Sequence, residues 1–237
     1  MGLISPQQLA LVFERLSEAK MIGRRIKKRT ENKGKRFLKS LFSPDFSIPY
    51  ADEVVGFVYK IVKFLFNPIG AGLLLLIGFS GLIPFIEHKA RFIEVISQVG
   101  KVVFEAPMIL VWGYVFILAT VVLHELAHGL TCKHYGGRVD RLGIMFYLAM
   151  FIFYCDTTSS WNFPKKFQRI MVSLGGPLIS FTTLGIALWI FGLLAGVSVF
   201  WETVMVIVIL LTMFGLVMNF NPFIRMDAYY MLMDLLN

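Results

Sequence analysis

At 237 residues the chain is long enough for one or two soluble domains, yet its composition argues against a soluble fold. Apolar residues make up 57% and charged residues 16%, against roughly 25% charged in ordinary globular proteins, and the apolar excess is gathered into long runs. The net charge of +8 sits mainly near the N-terminus, and two cysteines, Cys132 and Cys155, provide neither a disulfide framework nor a four-cysteine zinc site.

Residues 1–20 lack the apolar core of a cleavable signal peptide, since Glu14 and Glu18 interrupt it. The first spanning helix is therefore expected to stay in the mature protein. Residues 6–42 are helix-prone, amphipathic and basic, with Arg24, Arg25, Lys27, Lys28, Arg29, Lys33, Lys35 and Arg36 opposed there by Glu31. Beside a membrane span such a run marks the cytoplasmic face and its anionic lipids. No nucleic-acid motif or stacking platform accompanies it, so no nucleic acid is expected as partner. Ala51–Phe66 mixes apolar residues with Lys60 and Lys63 and is expected to lie along the interface. Residues 1–63 thus read as a basic cytoplasmic and interfacial segment, and 64–237 as a membrane domain.

The first span is expected at about Phe64–Ile86, followed by a polar stretch with Glu87, His88, Lys89 and Arg91. A second runs from about Pro107 to His134. After the turn at 136–140, Gly143–Cys155 is too short to cross and reads as a re-entrant hairpin or buried strand pair. A polar loop at 156–169 leads to spans at about Ile170–Val199 and Val204–Phe220. The expected fold is an all-α polytopic membrane protein of about four transmembrane helices with a short re-entrant or β-like insert. With a cytoplasmic N-terminus, the second span returns to the cytoplasm, the basic loop 133–142 obeys the positive-inside rule, and the fourth span returns there too.

His124, Glu125, Leu126, Ala127 and His128 form H-E-x-x-H inside the second span. Residues four apart lie about 40° apart around a helix and about 6 Å along it, so both imidazoles can reach one zinc ion. Glu125, beside the first ligand, can take a proton from water that the metal activates. Polar groups within a span are costly and default to functional candidates. A catalytic zinc site needs a third protein ligand. His134 points to another helical face, and Cys132 stays near the His128 stripe. A better candidate is Asp227, at the end of the fourth span and in the run NPFIRMDAYY (221–230). Asn221 precedes Pro222, which disfavours helix there and is expected to leave backbone groups unpaired. Asp234, seven residues beyond Asp227, is expected to be dispensable for the metal.

HELAHGLTCKHYGGRVDRLGIMF, FYCD (153–156), WNFP (161–164), SLGGP (173–177) and NPFIRMDAYYMLMDLL together resemble the site-2 protease family of intramembrane zinc metalloproteases. The likeness, over about Pro107–Leu236, is greatest to its branch of peptide zinc metalloproteases found with bacterial peptide-modification and export systems. The resemblance implies zinc held by His124, His128 and Asp227, Glu125 as catalytic base, and Asn221 binding substrate or the oxyanion. Gly176-Pro177 matches the family's GP pair, where a helix passes close to the core. Two departures stand out. Ala228 replaces the usual Gly after the metal-binding Asp, and family members of that branch continue past the equivalent of Asn237, as expected if this is a minimal or a truncated enzyme. The expected function is zinc-dependent hydrolysis of a peptide bond in a membrane-embedded or membrane-associated protein or peptide, in the cell membrane. The alternative is a non-catalytic zinc-binding membrane protein serving as a peptide maturation or export partner.

Overall fold

A computed structural model of the chain describes residues 45–147 and 150–236. The basic segment expected at 6–42, and with it the cytoplasmic N-terminus, lies outside the described residues. Strand β1 (Asp45–Ser47) leads into α1 (Ala51–Val62), a single 3-10 turn at Lys63–Leu65, and α2 (Pro68–Ser80) with its short continuation α3 (Leu82–Glu87). Then follow α4 (Lys89–Glu105), α5 (Met108–His134), the strands β2 (Leu142–Tyr147) and β3 (Met150–Cys155), and a 3-10 segment at Thr158–Asn162. Helices α6 (Lys166–Leu194), α7 (Val199–Asn219) and α8 (Asp227–Leu236) complete the chain.

Four stretches are long and apolar enough to cross a membrane: Pro68–Glu87, Met108–His134, Lys166–Leu194 and Val199–Asn219. The fold is thus that of an all-α polytopic membrane protein with a small sheet. Asn67 caps α2 by accepting the Gly70 amide at 2.8 Å, and Pro68 occupies the first helical position, where its missing N–H costs nothing. The spans differ in their boundaries from the hydropathy reading, the first starting at Pro68 and the fourth at Val199. The third span starts at Lys166 and stops at Leu194, where the αL residue Gly196 turns the chain. Residues 89–105, read only as a polar stretch at their start, form α4, which packs Phe92 and Val95 into the core.

Helix α6 is the hub, packing against α2, α3, α5, α7 and α8. Small residues allow this. A Cβ on Gly81 would lie 2.6 Å from Gly185 Cα, so the two backbones cross with no room for a side chain. The main apolar core joins Ile109 of α5, Leu188 and Phe191 of α6 and Val204–Ile209 of α7, with Phe92 edge-on to Phe191 at 5.2 Å. At that end Glu202, fully buried, accepts from Arg91 Nε at 3.1 Å and Nη2 at 2.6 Å and from the Gly196 amide. The charge is matched by donors on both oxygens, as a buried carboxylate requires.

The insert at 143–155 is an antiparallel hairpin, Leu142 opposite Cys155, and β1 adds to its other side with Phe46 opposite Ile144. Among the described residues the strand order β1-β2-β3 places β3 at an edge, and β3 packs against α5. Asp52 on α1 ties the end of α5 to the following turn by accepting from Lys133 Nζ and from the Val139 amide, each at 2.9 Å.

Candidate metal centre

The second half of α5 carries His124, Glu125 and His128, and each imidazole is oriented from behind by α6. His128 Nδ1 lies 2.7 Å from the Val172 carbonyl, and His124 Nδ1 lies 2.8 Å from Ser180 Oγ. A carbonyl only accepts, so His128 must carry its proton on Nδ1, which leaves Nε2 with a free lone pair. Both Nε2 atoms then converge, 3.1 Å apart, from residues only 8% exposed. Two facing lone pairs repel unless a proton or a cation lies between them.

Asp227, the first residue of α8, closes the third side. Its Oδ2 lies 3.2 Å from His124 Nε2 and its Oδ1 3.2 Å from His128 Nε2. Oδ2 is buried and makes no hydrogen bond, its nearness to the imidazole notwithstanding. Burial pushes the Asp227 carboxyl up, and the facing His124 and His128 rings outweigh it, holding it at about 2. It is a carboxylate at neutral pH. Ligand atoms of the three residues all lie within 4.8 Å of one another. A tetrahedral zinc with bonds of about 2.0–2.1 Å has donor–donor edges of roughly 3.3–3.4 Å, and the three nearest spacings here are 3.1, 3.2 and 3.2 Å. The donor set of two neutral imidazoles and one carboxylate fits zinc with a fourth position open. Gly176 completes the cradle: a Cβ there would lie 2.6 Å from His124 Nε2 and closer still to His128 Nε2.

A cleft of about 300 Å³ opens on the same group, lined among others by Glu125, His128, Cys155, Ser173, Arg169 and Asp227. Cys155, the last residue of β3, lines the cleft beside Glu125. Burial pushes the Cys155 thiol up to about 12, so beside Glu125 it stays protonated. Pro177 removes the intrahelical donor to the Ser173 carbonyl, and Ser173 faces the cleft. Trp161 and Tyr230 meet edge-on at 6.1 Å on its wall.

The structure brings His124, His128 and Asp227 together and sets Glu125 in the same cleft. The other candidates are engaged elsewhere. Cys132 Sγ sits 3.4 Å from Ser159 Oγ, and His134 Nδ1 sits 3.0 Å from the Tyr59 hydroxyl. Asn221 is not brought to the cleft: its Oδ1 accepts the Phe223 amide at 3.0 Å. The backbone groups expected to be unpaired there are used in the same turn, Asn221 N–H donating to Met218 O at 3.1 Å. Asp227 also starts a separate helix instead of ending the fourth span. Ser180, the Val172 carbonyl, Arg169 and Asp234 were not anticipated. Only the SLGGP run, with its small residues next to a proline, signalled that α6 passes close by.

An H-E-x-x-H helix and an aspartate from a distant helix, set among helices that can cross a membrane, define a membrane metallopeptidase type of site. Residues 112–228 match the model of Peptidase family M50, the family of the site-2 proteases, and this part of the chain belongs to it. The match begins inside α5 and ends one residue past Asp227, so it encloses all three converging side chains. Members of the family are zinc metallopeptidases. No curated protein and no solved structure matches the chain.

Proposed function

We propose that the chain is a zinc metalloendopeptidase that hydrolyses a peptide bond of a membrane-embedded or membrane-associated protein or peptide. The observation that carries the reading is the convergence of His124 Nε2, His128 Nε2 and the Asp227 carboxylate at tetrahedral-edge spacing, with Glu125 in the adjoining cleft. His124, His128 and Asp227 would hold the ion, and zinc supplies a Lewis acid that acidifies water and polarises a carbonyl. Glu125 takes the proton of the attacking water and returns it to the departing amine. The Val172 carbonyl keeps His128 in the ligating tautomer, and Ser180 orients the His124 ring. The edge of β3, whose last residue lines the cleft, can pair with a substrate in extended form, which exposes its peptide bonds as a helix does not. A role for Asn221 at the oxyanion requires its Oδ1 to leave Phe223.

The protein sits in the cell membrane with its N-terminus in the cytoplasm. Supporting this, the loops at 133–142 and 156–169, at the site's end of α5 and α6, carry Lys133, Arg138, Arg141, Lys165 and Lys166. Residues 64–237 make up the protease domain.

Glu125→Gln tests the assignment, because Glu125 moves protons and does not ligate. Cleavage of a membrane substrate should fall by about 10²–10⁴-fold, with zinc content and melting temperature unchanged. Equal cleavage by both proteins would remove the mechanism. Bound zinc with no cleavage by either would leave a maturation or export partner.

A further inference from the structure

We infer that Arg169 and Asp234 form a positioning clasp that sets Asp227 against the two imidazoles. The inference deepens the metal-centre reading and rests on it. Arg169 Nε donates to Asp234 Oδ1 at 2.5 Å, and Arg169 Nη1 donates to the Phe163 carbonyl at 3.0 Å. One guanidinium therefore joins the start of α6, the loop before it, and α8. Asp234 is 6% exposed although it is an acid near the end of a ten-residue helix. Burial of that kind demands a partner.

Helix α8 lies against α6, with a ring contact from Trp161 to Tyr230, but buries few of its own side chains. Ala228 and Asp234 are its only buried residues among those described, and Ala228 offers one methyl. The helix begins with Asp227 and follows a turn at 220–226. Asp227 and Asp234 are seven residues apart, close to two full turns, so they lie on one face about 10.5 Å apart along the axis. A metal–donor distance tolerates about 0.2 Å of error. Over that lever a rotation of α8 of roughly 1° about its Asp234 end uses up the tolerance. Apolar packing of a mostly exposed helix does not fix it to a degree; a guanidinium bonded to both the Asp234 carboxylate and the Phe163 carbonyl has the directionality to do so. Among the described residues, the bonds of Arg169 and Asp234 run to each other and to the Phe163 carbonyl, not to His124, His128 or Asp227, so their effect passes through the backbone of α8. On this inference Asp234 contributes to the metal site, against the expectation that it is dispensable.

The test uses the full chain, purified in detergent, with zinc affinity measured by competition against a chromophoric chelator. The d–d spectrum of the cobalt-loaded protein serves as a second readout of donor geometry. Asp227→Ala should abolish tight binding. Asp234→Asn and Arg169→Lys, which keep volume, should weaken zinc about 10–100-fold, the usual cost of losing a group that orients a ligand, and should lower and shift the cobalt bands. Exchanging the charges, Arg169→Asp with Asp234→Arg, should recover part of the affinity if it folds; Asp234→Asn alone suffices if it does not. Wild-type zinc affinity and cobalt spectrum in Asp234→Asn and Arg169→Lys, with Asp227→Ala inactive in binding, overturn the clasp and leave the metal centre standing. No stoichiometric zinc in the wild type, or none lost in Asp227→Ala, overturns both.

Discussion

Replacing Gly176 with alanine puts one methyl where both imidazoles converge. Its carbon would lie 2.6 Å from His124 Nε2 and nearer to His128 Nε2, about 1 Å inside ordinary contact. Neither ring is free to retreat sideways, since His124 is bonded at Nδ1 to Ser180 and His128 to the Val172 carbonyl. Relief must come by tilting the Nε2 atoms away from α6, which breaks their approach to Asp227. With donors tolerating about 0.2 Å, a shift near 1 Å at two of three leaves no zinc site. Affinity should fall at least a thousandfold, about 4 kcal/mol. The fold should survive: overpacking costs about 1–3 kcal/mol, and alanine returns about 0.5–1 kcal/mol in a helix interior. Zinc per mole of purified protein by atomic absorption, beside a thermal melt, reads both. A Gly176→Ala protein with a full equivalent of zinc and normal turnover would refute the cradle.

Ser180→Ala should weaken zinc about 10–100-fold, because His124 loses the hydroxyl that orients it; unchanged affinity in a chelator titration would show that the bond does not matter. Cysteine labelling at Lys165 should report the cytoplasmic side and at His88 the other; label reaching Lys165 from outside would require β2–β3 to cross the membrane. Asp52 gives a pH test. Burial pushes its carboxyl up, but the Lys133 ammonium and the Val139 amide pull it below the ordinary 3.8. The folded value is therefore the lower one, so the stability that Asp52 contributes is complete above the unfolded pKa and is lost as pH falls through the folded value. Melting temperatures between about pH 6 and pH 3 should fall less steeply for Asp52→Asn than for the wild type, and parallel curves would argue against a stabilising Asp52–Lys133 tie.

Spans were legible because a bilayer imposes a local rule: about 20 apolar residues in a row, visible without knowing any neighbour. The H-E-x-x-H pair was legible for a similar reason, helical spacing being a property of one segment. Asp227 needed the count of crossings, since a hundred residues separate it from His128 and no spacing connects them. What escaped notice was made by side chains meeting across the chain. Arg169 reads as one charge of a polar loop and Asp234 as dispensable for the metal, and each acquires meaning only from the other. Helix α4 was hidden because its apolar stripe is narrow and interrupted by Arg91, Glu94 and Lys101, which hydropathy averages down. Asn221 shows the converse error: the Asn-Pro pair does end α7, but a local turn uses the groups that were expected to be free.

The Arg91–Glu202 pair bears on the order in which the protein can be assembled. Its partners are 111 residues apart, and at about 5–20 residues per second a ribosome takes roughly 6–22 s to make that interval. Through that time Arg91 has left the ribosome and Glu202 does not exist, so α4 has no charge partner on α7 and the first two spans cannot reach their final packing. Glu202 in turn arrives in the first turn of the last span, already facing a waiting guanidinium. Completion of the far end of the bundle is thus tied to insertion of α7, the same event that carries Asp227 back toward His124 and His128. A chain stopped before α7 would present Arg91 without its partner on that helix.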